Sequence, residues 1–142
     1  MPKEHGAYGQ LLFPLLTAWL AARPSVPAIL FGLAATGGFL AHEGLAVRLG
    51  HRGSRAKRED RDRATTSFGV FVAVGFLAGV AALALAPTEA RRAAAVTVAL
   101  AAAALVMTWT GRERTVGGEL LACSALASWS LPIALADRKS VV

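Results

Sequence analysis

The sequence predicts an all-α fold, a polytopic bundle of about five transmembrane helices forming a single domain over residues 1–142. Three observations predict it. Long apolar stretches fill the chain, with 55% of residues hydrophobic and 17% charged. The polar residues crowd into the gaps between those stretches. The stretches are also apolar all round, which marks helices without a wet side. A hydrocarbon core about 30 Å thick takes roughly 20 residues of helix to cross. A soluble alternative would need polar sequence to wrap its helices, and a chain of 142 residues has too little of it.

The first stretch, 9–22, is the weakest, being short and containing Pro14. The second, Val26–Leu49, is long and carries His42, Glu43 and Arg48 towards its end. The stretches 67–86, 93–110 and 118–136 hold no internal charge except Glu119 at one edge. Small residues mark where helices approach closely, because packing over them holds a bundle together in lipid. Gly75-x-x-x-Gly79 in the third stretch and Ala34-x-x-x-Gly38 in the second are such faces, and Ala101–Ala104 run together in the fourth. Trp19, Trp109 and Trp129 are candidate interface anchors. The segment 50–64 is charged and mixed in sign, and reads as a solvated connection or short surface helix.

Net charge is +6, yet the positive residues are confined to connections, as membrane topology requires, and no aromatics interleave with them to stack bases. A nucleic-acid partner is therefore not expected. The lone Cys123 lies within an apolar stretch and reads as a small packing residue. The start, Met1-Pro2-Lys3-Glu4-His5, carries an acid and no clear cleavage site follows, so it reads as mature sequence. With segment 50–64 on the cytoplasmic side and five alternating helices, ten Lys and Arg fall inside and five outside. The expected location is the inner (plasma) membrane, multi-pass, with the N-terminus and segment 50–64 cytoplasmic. Asp137-Arg138-Lys139 opposes this count, and an even helix number follows if 9–22 does not cross.

Three polar groups converge on that cytoplasmic face. They are Lys3-Glu4-His5 with Tyr8 and Gln10, then His42-Glu43, then Arg112-Glu113-Arg114 leading to Glu119. Ionisable residues inside a membrane helix are costly and usually face the bundle interior or a wet cavity. Adjacent helical positions point about 100° apart, so one of His42 and Glu43 lines a cavity while the other supports it. The competing reading ends the second helix near Ala41 and leaves both wet. The candidate substrate-binding cavity comprises Lys3, Glu4, His5, His42, Glu43 and Arg55. No paired histidine spacing supports a metal site, and Glu59, Asp60 and Asp62 are flanked by Arg58, Arg61 and Arg63, which favours salt bridges over magnesium. Phosphate-loop, dinucleotide and serine-nucleophile motifs are absent.

Pro2-Lys3-Glu4-His5-Gly6-Ala7-Tyr8-Gly9-Gln10 followed by Leu11-Leu12-Phe13-Pro14, together with Phe39-Leu40-Ala41-His42-Glu43, Leu49-Gly50-His51-Arg52-Gly53 and Arg55-Ala56-Lys57-Arg58, resembles the YwiC-like family of bacterial membrane proteins. Gly44 stands where that pattern has a proline. The resemblance implies longer relatives, of which this chain looks like the N-terminal half to two-thirds, and hence a homo-oligomer or a partner supplying a C-terminal half. A more distant similarity to UbiA-type membrane prenyltransferases implies a helical bundle with a cytoplasm-facing cavity and magnesium diphosphate chemistry. The aspartate motif of those enzymes is absent here, so magnesium is implied only as far as that likeness holds.

The functional expectation is an integral membrane protein of unassigned activity. The favoured reading is a membrane enzyme, or half of one, processing a lipid or isoprenoid diphosphate. The alternative is a small transporter or membrane-complex subunit without catalysis, with His42 and Glu43 as a polar relay. A structural protein without chemistry is the third.

Overall fold

The computed structural model describes residues 5–21, 25–49, 61–112 and 114–136, with side chains from residue 11 in the first segment and from 65 in the third. Among them all the regular structure is helix: α1 (His5–Ala21), α2 (Val26–Leu49), α3 (Arg61–Leu85), α4 (Thr88–Trp109), α5 (Val116–Ser128) and α6 (Ser130–Leu135). The last two are halves of one span, Val116–Leu135, and with α2, 65–85 of α3, and α4 they make four helices long and apolar enough to cross a membrane. The shorter α1 has 17 residues and reaches about 26 Å at 1.5 Å per residue. It passes through Pro14 without ending.

The starts of α3 and α4 move outward from the apolar runs. α3 starts at Arg61 and α4 at Thr88, so polar first turns extend both spans. Residues 61–64, expected in the connection, are therefore helical. Residues 50–60 lie outside the described part. α2 continues past Ala41 to Leu49, and Gly44 is a buried residue inside it, which overturns the reading that ends this helix at the His-Glu pair. Gly44, where the resemblance leads to the expectation of a proline, leaves the helix free to continue.

Hydrogen bonds place the ends. His42 near the end of α2 meets Thr108 in the last turn of α4, and Arg48 lies 5.4 Å over the Phe68 ring near the start of α3. At the other end the Trp19 indole donates to the Ala28 carbonyl, and midway along the span Thr97 meets the Ser128 carbonyl. The first group of ends is called the His42 end below, and the second the far end. α1 starts at the His42 end and α5 follows it from α4, so the helices alternate as five passages.

α2 is the central element. α3 lies along it, while α4 packs chiefly on α5 and α6, and α1 on the same pair. Between α2 and α3 the close approach is glycine on glycine. A methyl added to Gly37 would stand 2.9 Å from the Gly75 backbone, and one on Gly75 would stand 3.2 Å from the Gly38 amide nitrogen. A methyl added to Gly79 would stand 3.7 Å from the Ala34 side chain, an ordinary contact distance. The small-residue faces read from the sequence thus do meet, but the residue on α2 that permits the approach is Gly37, since a methyl on Gly38 would touch nothing.

The apolar core gathers towards the far end. Leu11, Leu15, Phe31, Phe39, Ala82, Ala86, Ala90, Ala94 and Ile133 form one buried cluster. Outward faces carry Phe13, Leu20, Phe76, Leu77, Val96, Val106 and Leu120, all exposed, as a lipid-facing belt requires. Trp109 is 70% exposed at the His42 end and suits an interface anchor. Trp129 does not. It is half-buried, packs against the core, and stands at the junction of α5 and α6.

Candidate functional site

The site is built at the end of α4. Thr110-Gly111 closes that helix with a left-handed turn: Gly111 has φ +71°, its amide donates to the Thr108 carbonyl at 3.1 Å, and the Arg112 amide donates to Met107 at 2.9 Å. Glycine carries the positive φ without a Cβ clash, so the sequence ends the helix here. The stop leaves Thr108 in the last turn. The Thr115 hydroxyl then accepts from the Gly118 amide and starts α5 only a few residues later. A short, firmly capped turn thus separates Thr108 from the next helix.

Thr108 is 2% exposed, one of two buried polar side chains among the described residues, with Thr97. His42 Nε2 lies 2.8 Å from its Oγ1. The same oxygen is 3.2 Å from the Ala104 carbonyl and donates to it. This contact pins α2 to α4 where the two helices otherwise touch little. Seven residues of α2 continue beyond His42, about 10 Å of helix, so the histidine lies level with the end of α4 and below the end of α2. His42 and Glu43 are both half-buried. Glu43 also interacts with a neighbouring group. Arg48, Arg112 and Arg114 are exposed around this end.

The expected cavity set divides. His42 and Glu43 are placed together, inside a helix and at one end of the bundle. Lys3, Glu4 and Arg55 lie outside the described residues, as does the side chain of His5 at the start of α1. Among the described residues no three His, Cys, Asp or Glu side chains group as metal ligands. Glu59 and Asp60, and the side chain of Asp62, fall outside the described part. Glu119 is exposed near the start of α5. Cys123 is a free, half-buried thiol.

Sequence reasoning missed Thr108. A threonine inside an apolar helix reads as neutral, because it can donate to its own helix and disappear. Only its neighbour across the bundle gives it a role, and no local spacing announces that.

The family model for YwiC-like protein matches residues 1–134. The chain belongs to the YwiC-like family. No curated protein and no solved structure matches it. The match spans both the N-terminal motif and the His42-Glu43 segment that carried the resemblance, while nothing found extends the likeness to prenyltransferases. As a YwiC-like protein with four membrane-length apolar helices, the chain is an integral membrane protein.

Proposed function

We propose that this YwiC-like protein binds a phosphate-bearing lipid, of the isoprenoid diphosphate or phospholipid type, at its His42 end, and that this end faces the cytoplasm of the inner membrane. The observation that carries the reading is the part-buried His42–Thr108 hydrogen bond near one end of the bundle. It holds a titratable imidazole inside a helical bundle at the end where Arg48, Arg112 and Arg114 gather. Arginine is suited to phosphate because its planar fork donates two parallel hydrogen bonds. An acyl or prenyl chain would lie along the exposed apolar faces, and its head group would reach the imidazole and the basic rim.

The enzyme reading adds chemistry on that head group, with His42 or Glu43 transferring a proton. Magnesium would be required only if the diphosphate is handled as in prenyltransferases, and the described residues supply no ligand cluster for it.

The test is binding of a prenyl diphosphate, phosphatidylglycerol and inorganic phosphate to the purified protein in nanodiscs of neutral lipid, with and without magnesium. Saturable binding of either lipid that weakens about tenfold in His42→Gln supports the reading. Release of diphosphate would make it an enzyme. Absence of binding together with proton-coupled flux through liposomes would instead favour the transporter reading, in which His42 and Glu43 relay protons.

A further inference from the structure

Gly38 is exposed although it sits between two packed faces of α2. Its neighbour Gly37 meets Gly75 of α3, and His42, one turn on, meets Thr108 of α4. Residues in a helix turn by about 100° each, so Gly38 lies between those two contacts, which stand about 140° apart around α2. A methyl added to it would meet nothing within 4 Å. The opening exists because α3 and α4 touch each other little: α3 packs on α2, and α4 on α5 and α6. Seven residues return nearly to the same side of a helix, so this side of α2 runs through Phe31, Gly38 and Leu45. Phe31 is 1% exposed and shares one buried cluster with Ala82 and Ala86, at the end of α3, and Ala90 and Ala94, at the start of α4. Leu45 is half-buried. The opening is therefore a cleft, closed at Phe31 and leading over Gly38 towards the His42 end, about 20 Å along α2 from Phe31 to Leu45.

Gly38 stands at the middle of its span, where water does not reach and only hydrocarbon can cover it. At the mouth Arg48, Arg112 and Arg114 gather, a charge that suits an anionic head group. We propose that this cleft holds the hydrocarbon tail of a single-chain phosphate lipid whose head group lies at the His42 end. Resting on the head-group reading above, this names the place of the tail and the kind of lipid. Both sides of the opening are tied to α2, one by glycine against glycine and the other by the His42–Thr108 hydrogen bond, so the room left over Gly38 takes one chain. The second chain of a diacyl lipid has no such place. Any large side chain at position 38 would take the room that glycine leaves for the tail.

The test is binding of dodecyl phosphate to the purified protein in nanodiscs of neutral lipid, with phosphatidylglycerol as the diacyl comparison. Gly38→Phe puts a ring into the cleft and should weaken dodecyl phosphate about tenfold. Val106→Phe adds the same ring at a position 61% exposed and nearly opposite Thr108 around α4, and should bind as the wild type does. A folded Gly38→Phe protein that binds as tightly as the wild type overturns the proposal. So does phosphatidylglycerol that binds as tightly as dodecyl phosphate and is lost equally in Gly38→Phe. Where Gly38→Phe fails to fold, the wild type decides: a dodecyl phosphate with a diazirine at its chain end should photolabel residues 31–38 of α2 or the facing parts of α3 and α4. Labelling confined to the outer faces at Phe13, Leu20 and Leu120 overturns the cleft. The two readings fail separately. Weakening by Gly38→Phe but not by His42→Gln keeps the tail cleft and removes the His42 head-group reading. Weakening by His42→Gln alone keeps the head group and removes the cleft.

Discussion

The Thr97 hydroxyl on α4 lies 3.1 Å from the Ser128 carbonyl and 3.1 Å from the Ala93 carbonyl of its own helix, sharing its one hydrogen between them, and Ser128 is the residue four before Pro132. In an unbroken helix that carbonyl would receive the amide of residue 132, but proline has none. A bare carbonyl inside a membrane costs several kcal/mol, so another donor has to reach it. Thr97, 0% exposed, is that donor. The same proline explains why the last span divides at Trp129 into α5 and α6. Removing the hydroxyl in Thr97→Val should destabilise the protein by about 0.5–2 kcal/mol, the range for interhelical hydrogen bonds in lipid. Pro132→Ala restores the amide, and in that background the cost of Thr97→Val should fall towards zero. Equal costs in the two backgrounds, measured by unfolding in detergent as a double-mutant cycle, would sink this account.

The α2–α3 contact predicts a sharp contrast between neighbours. Gly37→Ala places a methyl 2.9 Å from the Gly75 backbone, which cannot swing aside as a side chain can. Overpacking of that kind costs about 1–3 kcal/mol. Gly38→Ala meets nothing and should be neutral or slightly stabilising through its better helix propensity. Gly79→Leu should lower the detergent melting temperature more than Val80→Leu, since Val80 is exposed and Gly79 lies against Ala34. Similar melting temperatures for the Gly37 and Gly38 variants would show that the two helices separate easily.

How much of this was legible in the sequence depends on the range of the interaction. Apolar length fixes where helices lie, because the cost of crossing lipid is local to each stretch, and all five stretches became helices. Their ends were less legible: the polar first turns of α3 and α4 look like connection, although a helix can carry charge once it leaves the hydrocarbon. Gly75 was legible as a contact from its spacing, whereas Gly37 was hidden beside Gly38, because the facing side of α2 depends on rotation about its axis. His42 and Glu43 were legible as ionisable groups within an apolar stretch, and both are half-buried inside α2. Thr108 and Thr97 were not, since each gains its meaning from a residue 66 or 31 positions away.

Arg91 supplies a third contrast. Its Nε donates to the Ala86 carbonyl at 2.8 Å and its Nη2 to Ala84 at 3.2 Å, capping the end of α3 from the first turn of α4. The neighbouring Arg92 pairs with Glu89 at 3.5 Å, and both side chains are largely exposed. Arg91→Ala should therefore cost about 1 kcal/mol, through carbonyls left without a partner near the membrane surface. Arg92→Ala should be close to neutral, as exposed pairs usually are. Thermal unfolding of the two variants decides the matter, and a larger loss in Arg92→Ala would reverse the assignment.

Orientation is the last prediction, and it tests the alternation of five passages together with the charge bias. The His42 end carries Arg48, Arg112 and Arg114, and the connection 50–60 adds further basic residues to it. The far end carries Arg91 and Arg92 beside Glu89. Basic residues in short connections are retained on the cytoplasmic side, so the His42 end should face inward. With Cys123 replaced by Ala, a single cysteine at Ser54 or at Arg112 should react with an impermeant maleimide only after the cells are opened. A cysteine at Thr88, between α3 and α4, should react in intact cells. Labelling of Ser54 and Thr88 from the same side would refute the alternation itself, since α3 alone separates them. Labelling of Ser54 from outside with Thr88 protected would keep the bundle and invert it, placing the His42–Thr108 pair at the outer surface and ending the cytoplasmic lipid-binding proposal.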